Sequence, residues 1–239
     1  MNQKNIGALT YDNVLVWIVD QAPTGIDWRD HLETLPSEEQ TRVGKFAFEK
    51  LQRRFVFRRA ALRKLLGHYL NVAPEQVKLE LSEYGKPTLA AQYQESQIQF
   101  NISTSEDLAL IGITKGRKLG VDIEYHKRHA DYEKIAQRFF SPAEVIAFLD
   151  LPQDQRLQGF YNCWTRKEAF IKAIGQGLSY PLKDFDITLK PGEQPKVLCV
   201  KGGDVNAWKL AAFTPAEDFT AAVAATGGDW TLEVISFTW

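Results

Sequence analysis

The segment Arg59-Ala60-Ala61-Leu62-Arg63-Lys64-Leu65-Leu66-Gly67 can be laid over Lys167-Glu168-Ala169-Phe170-Ile171-Lys172-Ala173-Ile174-Gly175 far downstream. An alanine, a large apolar residue, a lysine, a branched apolar residue and a glycine coincide. A match this short arises often between amphipathic helices. If it is a true internal echo, the chain has two similar halves, each a helix on an antiparallel sheet. A length of 239 residues suits one large domain or two small ones.

The local patterns agree with an α+β chain. Val14 to Val19 is an apolar, β-branched run ended by Asp20 and Pro23, and predicts a strand buried on both faces. After Leu35-Pro36-Ser37 the pattern is helical, with a break, to about Leu70. Leu62, Leu65, Leu66 and Tyr69 form one stripe of that helix, and Arg53, Arg54, Arg58, Arg59, Arg63 and Lys64 lie opposite. Phe55 and Phe57 are expected in the core, and Gly67 is expected to weaken the last turn. Tyr84-Gly85-Lys86-Pro87 signals a turn, and Ile98, Phe100 and Ile102 a strand entering a Ser103-Thr104-Ser105 loop. Leu108–Thr114 and Leu119–Glu124 read as a hairpin through Lys115-Gly116-Arg117-Lys118. Ser141-Pro142-Ala143-Glu144 is a capping box, and a second helix runs from about Leu157 to Ile174. From Asp186 onward the tail alternates like strands.

Charge and cysteine content narrow the function. Lys plus Arg is 29 against 30 Asp plus Glu, a net charge of −1, which argues against a general nucleic-acid or anionic-membrane binder. No apolar run approaches the ~20 residues of a membrane-spanning helix. Cys163 and Cys199 have no redox or metal spacing, so reduced thiols and a cytoplasmic protein are expected.

Two segments can carry chemistry. On a strand through Gly120-Val121-Asp122-Ile123-Glu124, Asp122 and Glu124 share one face, with Cβ atoms roughly 6.5–7 Å apart. That pair can share a hard divalent cation, but alone it fits an acidic outer strand face better. On a helix, Trp164, Glu168 and Lys172 recur every four residues. Glu168 could add a carboxylate and Lys172 could hold a phosphate, or the two could be an ordinary surface pair. His126 and His129 follow closely, which leaves a zinc or iron site with the acidic pair open. No Walker loop, dinucleotide-binding glycine fingerprint or nucleophile elbow is present.

Together and in this order, the two segments resemble the 4'-phosphopantetheinyl transferases, specifically the long single-chain surfactin-synthetase-activating-enzyme type. That family's signature is G-(I/V)-D-x-E followed some forty residues later by (F/W)-x-x-K-E-(A/S)-x-x-K. Both pieces are complete here, at Gly120 to Glu124 and Trp164 to Lys172. Tyr84 to Pro87, Phe100 to Ser103, Arg138 to Ser141 with Glu144, and Gly175 to Ser179 add weaker matches.

The resemblance implies two pseudo-symmetric α+β halves, 1–117 and 118–239, each with helices packed on an antiparallel sheet and the active site in the cleft between them. It implies Mg-dependent transfer of the phosphopantetheine arm of coenzyme A to a serine of apo acyl or peptidyl carrier proteins, releasing adenosine 3',5'-bisphosphate. Asp122, Glu124 and Glu168 would hold magnesium (or manganese). A glutamate, preferably Glu168, would take the serine proton, and Lys172 would contact the coenzyme phosphates. Arg42, Arg54, Lys86, Pro87, Ser103 and Thr104 would line the coenzyme site, with Lys86 and Pro87 near the adenine. A monomer with no nucleic-acid or membrane partner is expected. The competing readings are another metal-dependent phosphoryl or nucleotidyl transferase, and a non-catalytic adaptor that binds carrier proteins. One position departs from the family: many relatives carry His where this chain has Thr104. Thr104→His is therefore expected to change coenzyme affinity or its pH dependence, and identical values for both would remove that idea.

Overall fold

A computed structural model describes residues 7–127 and 131–239. The N-terminal half contains strand β1 (Asn13–Asp20), helices α1 (Ser37–Val43) and α2 (Glu49–Leu70), a small hairpin of β2 (Leu79–Leu81) and β3 (Pro87–Leu89), and strands β4 (Ile98–Ser105) and β5 (Leu108–Lys115). The C-terminal half runs through β6 (Leu119–Tyr125), α3 (Tyr132–Phe139), α4 (Pro142–Leu149) and α5 (Gln153–Ile174). It ends with β7 (Phe185–Ile187), β8 (Val197–Val200), β9 (Trp208–Phe213), β10 (Phe219–Thr226) and β11 (Thr231–Ser236).

Two sheets stand face to face between two long helices. The first has the order β11-β1-β5-β4 and the second β6-β10-β9. Alternation along the strands sorts their side chains into layers. Trp17, Val19, Phe100, Ile111 and Ile113 face Leu62, Leu65 and Leu66 of α2. Val14, Val16 and Leu110 meet Val121, Ile123, Ala221 and Val223 between the sheets. Ala222 and Ala224 turn the other way, onto Phe170 and Ile171 of α5, with Phe140 and Phe148 completing that core. The layer order is therefore α2, sheet, sheet, α5. The architecture is α+β with a helix on each sheet, as the sequence suggests.

Local chemistry explains the helix ends. Ser141 Oγ accepts from Glu144 N while Glu144 Oε2 accepts from Ser141 N, closing the capping box of α4. Gly175, at φ 87°, ends α5 in the left-handed conformation. Gly67 lies within α2, which continues to Leu70 and ends on Asn71 at φ 54°. Its missing side chain makes room for the returning chain, since a Cβ there would lie 2.7 Å from Val72 O.

Several expectations are corrected. Strands β5 and β6 exist where expected, but they are not a hairpin. Both edges of β5 are taken by β1 and β4, and β6 pairs with β10. The turn at Gly116 (φ 69°) instead carries the chain from one sheet to the other. Ser103-Thr104-Ser105 is strand rather than loop, because its backbone pairs with Leu108–Leu110. The first sheet is not wholly antiparallel: β11 lies parallel to β1, with Asn13 opposite Thr231. The basic side of α2 is not simply solvated, for Arg63 is 3% exposed. Phe55 and Phe57 are buried, as expected.

The tightest constraint lies at Gly120. A Cβ there would stand 2.0 Å from Ala169 O and 2.4 Å from Ala173 N, so the backbone of β6 rests directly on α5. Gly120→Ala should destabilise the chain by about 2–3 kcal/mol or more, because neither backbone can yield without shifting a whole element. Urea unfolding measures this, and an unchanged midpoint would contradict the packing.

Candidate active site

Because Val121 and Ile123 face the other sheet, Asp122 and Glu124 face α5. They are therefore not an acidic outer surface: Asp122 is 2% exposed. Lys172 Nζ reaches Asp122 Oδ1 at 2.5 Å and Ser103 Oγ at 2.9 Å, and Ser103 Oγ donates to the same Asp122 oxygen at 2.9 Å. Ser105 Oγ donates to Glu124 Oε2 at 3.2 Å and accepts from Tyr125 N at 2.9 Å. Two residues before Ser103, on the same strand face, Asn101 Oδ1 accepts from Val121 N at 2.8 Å. The free edge of β6 is thus met by alternate side chains of β4 where a backbone ladder would otherwise run.

Glu124, Glu168, Asp122 and Lys172 line a cavity of about 850 Å³ between the halves. Burial pushes the Asp122 carboxyl up, with Lys172 and Ser103 opposing. Glu124 is raised by burial and by the Asp122 charge. Glu168 is raised by the same two causes to about 7, against the pull of Lys172. Asp122 Oδ2 is buried with no hydrogen-bond partner. Carboxylates that raise one another and leave a hard oxygen unused suit a cation bound by oxygen. Even so, among the described residues no three His, Cys, Asp or Glu side chains close into a metal-holding group. His126 does not join the carboxylates: its Nε2 lies 2.7 Å from Thr220 Oγ1 and its ring stacks on Tyr161. His129 lies outside the described residues.

The opposite wall is basic. Arg42, Arg58, Arg59 and Arg63 line it. Glu39 neutralises two of them: Arg59 Nε donates to its Oε1 at 2.9 Å and Arg63 Nε to its Oε2 at 2.9 Å. Arg42 and Arg58 both lie over the Phe55 ring, at 5.3 and 5.8 Å, and make no ion pair among the described residues. Burial, followed by the neighbouring Arg59 and Arg42 charges, lowers Arg58 to about 10. A guanidinium held among like charges without a counterion is poised for an anion.

The expected coenzyme residues divide. Arg42, Pro87, Ser103 and Thr104 line the cavity. Arg54 and Lys86 do not. Arg54 Nε is held by Asp107 Oδ1 at 2.8 Å, with Glu106 at 3.4 Å. Lys86 Nζ donates to Leu119 O at 2.8 Å and Lys172 O at 2.7 Å. Sequence reasoning missed the Glu39 cluster and the distinct state of Arg58. Helical spacing puts Arg59 and Arg63 on one face of α2, but Glu39 sits on the separate helix α1, so no local pattern links it to them.

An acidic floor facing a guanidinium wall across one cavity can accommodate an anionic group such as a phosphate. Residues 118–224 match the 4'-phosphopantetheinyl transferase superfamily, and residues 20–115 match the family described as 4'-phosphopantetheinyl transferase, N-terminal. The chain is 37% identical over 222 residues to the 4'-phosphopantetheinyl transferase HetI of Nostoc sp., covering 93% of this chain and 91% of that one. It is 34% identical to a 4'-phosphopantetheinyl transferase of Bacillus subtilis, over 64% of this chain and 70% of the other. A holo-(acyl-carrier-protein) synthase of Bacillus anthracis, solved with CoA, shares 18% identity over 46% of this chain and 94% of its own, with a TM-score of 0.39. The chain belongs to the 4'-phosphopantetheinyl transferase family and is an enzyme of that class.

The Glu39 cluster has a pH signature. Burial pushes Glu39 up, but hydrogen bonds and charge from Arg63 and Arg59 outweigh it and hold the carboxyl below its ordinary 4.5. A lowered carboxyl stabilises above that value, and the contribution is lost as pH falls through it. Wild type should be more stable than Glu39→Gln at pH 7, and the gap should close as the pH falls below 4.5. Urea midpoints across that range that differ by a constant amount would contradict the assignment.

Proposed function

We propose that this enzyme transfers the 4'-phosphopantetheine group of coenzyme A to a serine of an apo acyl or peptidyl carrier protein and releases adenosine 3',5'-bisphosphate. The observation that carries the reading is the pairing of buried carboxylates with uncompensated arginines across one cavity. A pyrophosphate linkage with a further phosphate at its far end needs both: cations along its length and a carboxylate at the reacting end.

The carrier serine Oγ attacks the phosphorus that bears the pantetheine arm. The bond from that phosphorus to the oxygen bridging the two phosphates breaks, and the electron pair leaves with adenosine bisphosphate. Glu168 accepts the serine proton. Its place on the cavity wall beside Asp122 and Glu124 supports that role. Lys172 contacts the coenzyme phosphates from its place beside Ser103, while Arg42 and Arg58 receive the terminal phosphate. Asp122, Glu124 and Glu168 would hold the divalent cation, magnesium or manganese, as the unused Asp122 Oδ2 and the all-oxygen donor set allow. When bound, such an ion supplies charge neutralisation at the pyrophosphate. Both walls of the cavity come from one chain, which supports a monomer of two halves, 1–117 and 118–239, and the unpaired Cys163 and Cys199 fit work in the cytoplasm.

Intact-mass measurement of an apo carrier incubated with the protein, coenzyme A and magnesium tests the reading. A gain of one phosphopantetheine, abolished by EDTA and by Asp122→Ala, is expected. No gain across several unrelated carriers would overturn it, and coenzyme turnover without a carrier would point to a different phosphoryl transferase. Arg58→Met should raise KM for coenzyme A roughly 10- to 100-fold with kcat little changed, the cost of a lost charged hydrogen bond in binding. An unaltered KM would remove Arg58 from the site.

A further inference from the structure

Lys86 does not line the cavity and makes no ion pair with a carboxylate among the described residues. It leaves a stiff turn: Ser82 Oγ accepts from Lys86 N at 3.0 Å, and Gly85 stands at φ 77°. Its stem passes the end of α5, where a Cβ on Gly175 would lie 3.8 Å from Lys86 Cδ. Its ammonium then donates to two carbonyls, Leu119 O on β6 and Lys172 O on α5. Lys172 O is in the last turn of α5, where carbonyls lack helical donors and the helix dipole favours a cation. Leu119 immediately precedes Gly120, the point at which β6 and α5 touch backbone to backbone. Burial, aided by Lys118, lowers Lys86 to about 8, consistent with an amine enclosed rather than lining open solvent.

We propose that Lys86 is a positioning residue, a pin from the N-terminal hairpin through the seam between β6 and α5. By holding one carbonyl of each element it sets the distance between Asp122, three residues along β6, and the side chain of Lys172 itself. The β2–β3 hairpin is tied to the reacting groups across the cleft by the same two bonds. The kinetic arm of the test rests on the transfer reading above. The hydrogen-exchange arm does not.

The test compares Lys86→Met and Lys86→Arg, each alone and combined with Lys172→Met. Lys86→Met should lower kcat about 10- to 100-fold, as misplacement of reacting groups does, while KM for coenzyme A stays within about twofold. Lys86→Arg, which keeps donors, should recover part of the loss. In the Lys172→Met background Lys86→Met should cost nothing further, because residues that act through one another are not additive. Peptides covering 119–125 and 169–175 should exchange amide hydrogens faster in Lys86→Met without any ligand. A raised KM with kcat intact, additive with Lys172→Met, would make Lys86 a phosphate ligand and overturn the proposal. So would a lower unfolding midpoint with unchanged kcat, KM and exchange at the seam. If Lys86→Met does not fold, Lys86→Gln, which keeps an uncharged N–H donor group, makes the same comparison. If the wild type modifies no carrier, the transfer reading fails, and the exchange at the seam decides the pin alone.

Discussion

The backbone of β6 lies against the backbone of α5 at Gly120, and the site depends on that approach. A Cβ at that position would fall 2.0 Å from Ala169 O, so any side chain there would push the helix off the sheet. Without one, Lys172 spans the remaining gap to Asp122 and Ser103. The approach also explains the depth of the carboxylates, since α5 roofs the strand that bears them. Burial then raises their proton affinities, and their mutual repulsion raises them further.

Charge on the two walls is balanced only in part, and the remainder has opposite sign on each. Glu39 absorbs Arg59 and Arg63, which leaves Arg42 and Arg58 over Phe55. Lys172 absorbs part of Asp122, which leaves Glu124 and Glu168 facing the same space. Internal pairs of this kind make the walls rigid, and the uncompensated groups remain for a ligand. A ligand with phosphates at one end and a reacting hydroxyl brought to the other would satisfy both. The apolar partners Phe55 and Trp164 stand beside each set, Trp164 stacked on Phe160 with Phe139 edge-on.

Much of this was legible from periodicity. Alternation puts Asp122 and Glu124 on one strand face, and helical spacing puts Trp164, Glu168 and Lys172 on one helix face. What periodicity lacks is the identity of the neighbour on each face. It could not tell that the acidic face of β6 meets α5 rather than water. Nor could it tell that β6 leaves its apparent hairpin partner β5 for β10. Arg54 and Lys86 show the same limit from the other side. Their residue types fit a coenzyme site, yet acceptors distant in sequence, Asp107 for one and two backbone carbonyls for the other, claimed them first. Motif order survives such exchanges because it records the whole arrangement, whereas single basic residues do not.

The parallel pairing of β11 with β1 has a bearing on how the chain reaches this state. Sheet one is built from strands near the start, but the strand that covers the outer edge of β1 arrives only after all of sheet two has been made. A chain emerging from the ribosome therefore holds β1 with one open edge until residues 231–236 appear, an exposure that non-local pairing prolongs. The two halves cannot mature one after the other like beads on a string. The first is finished by the second.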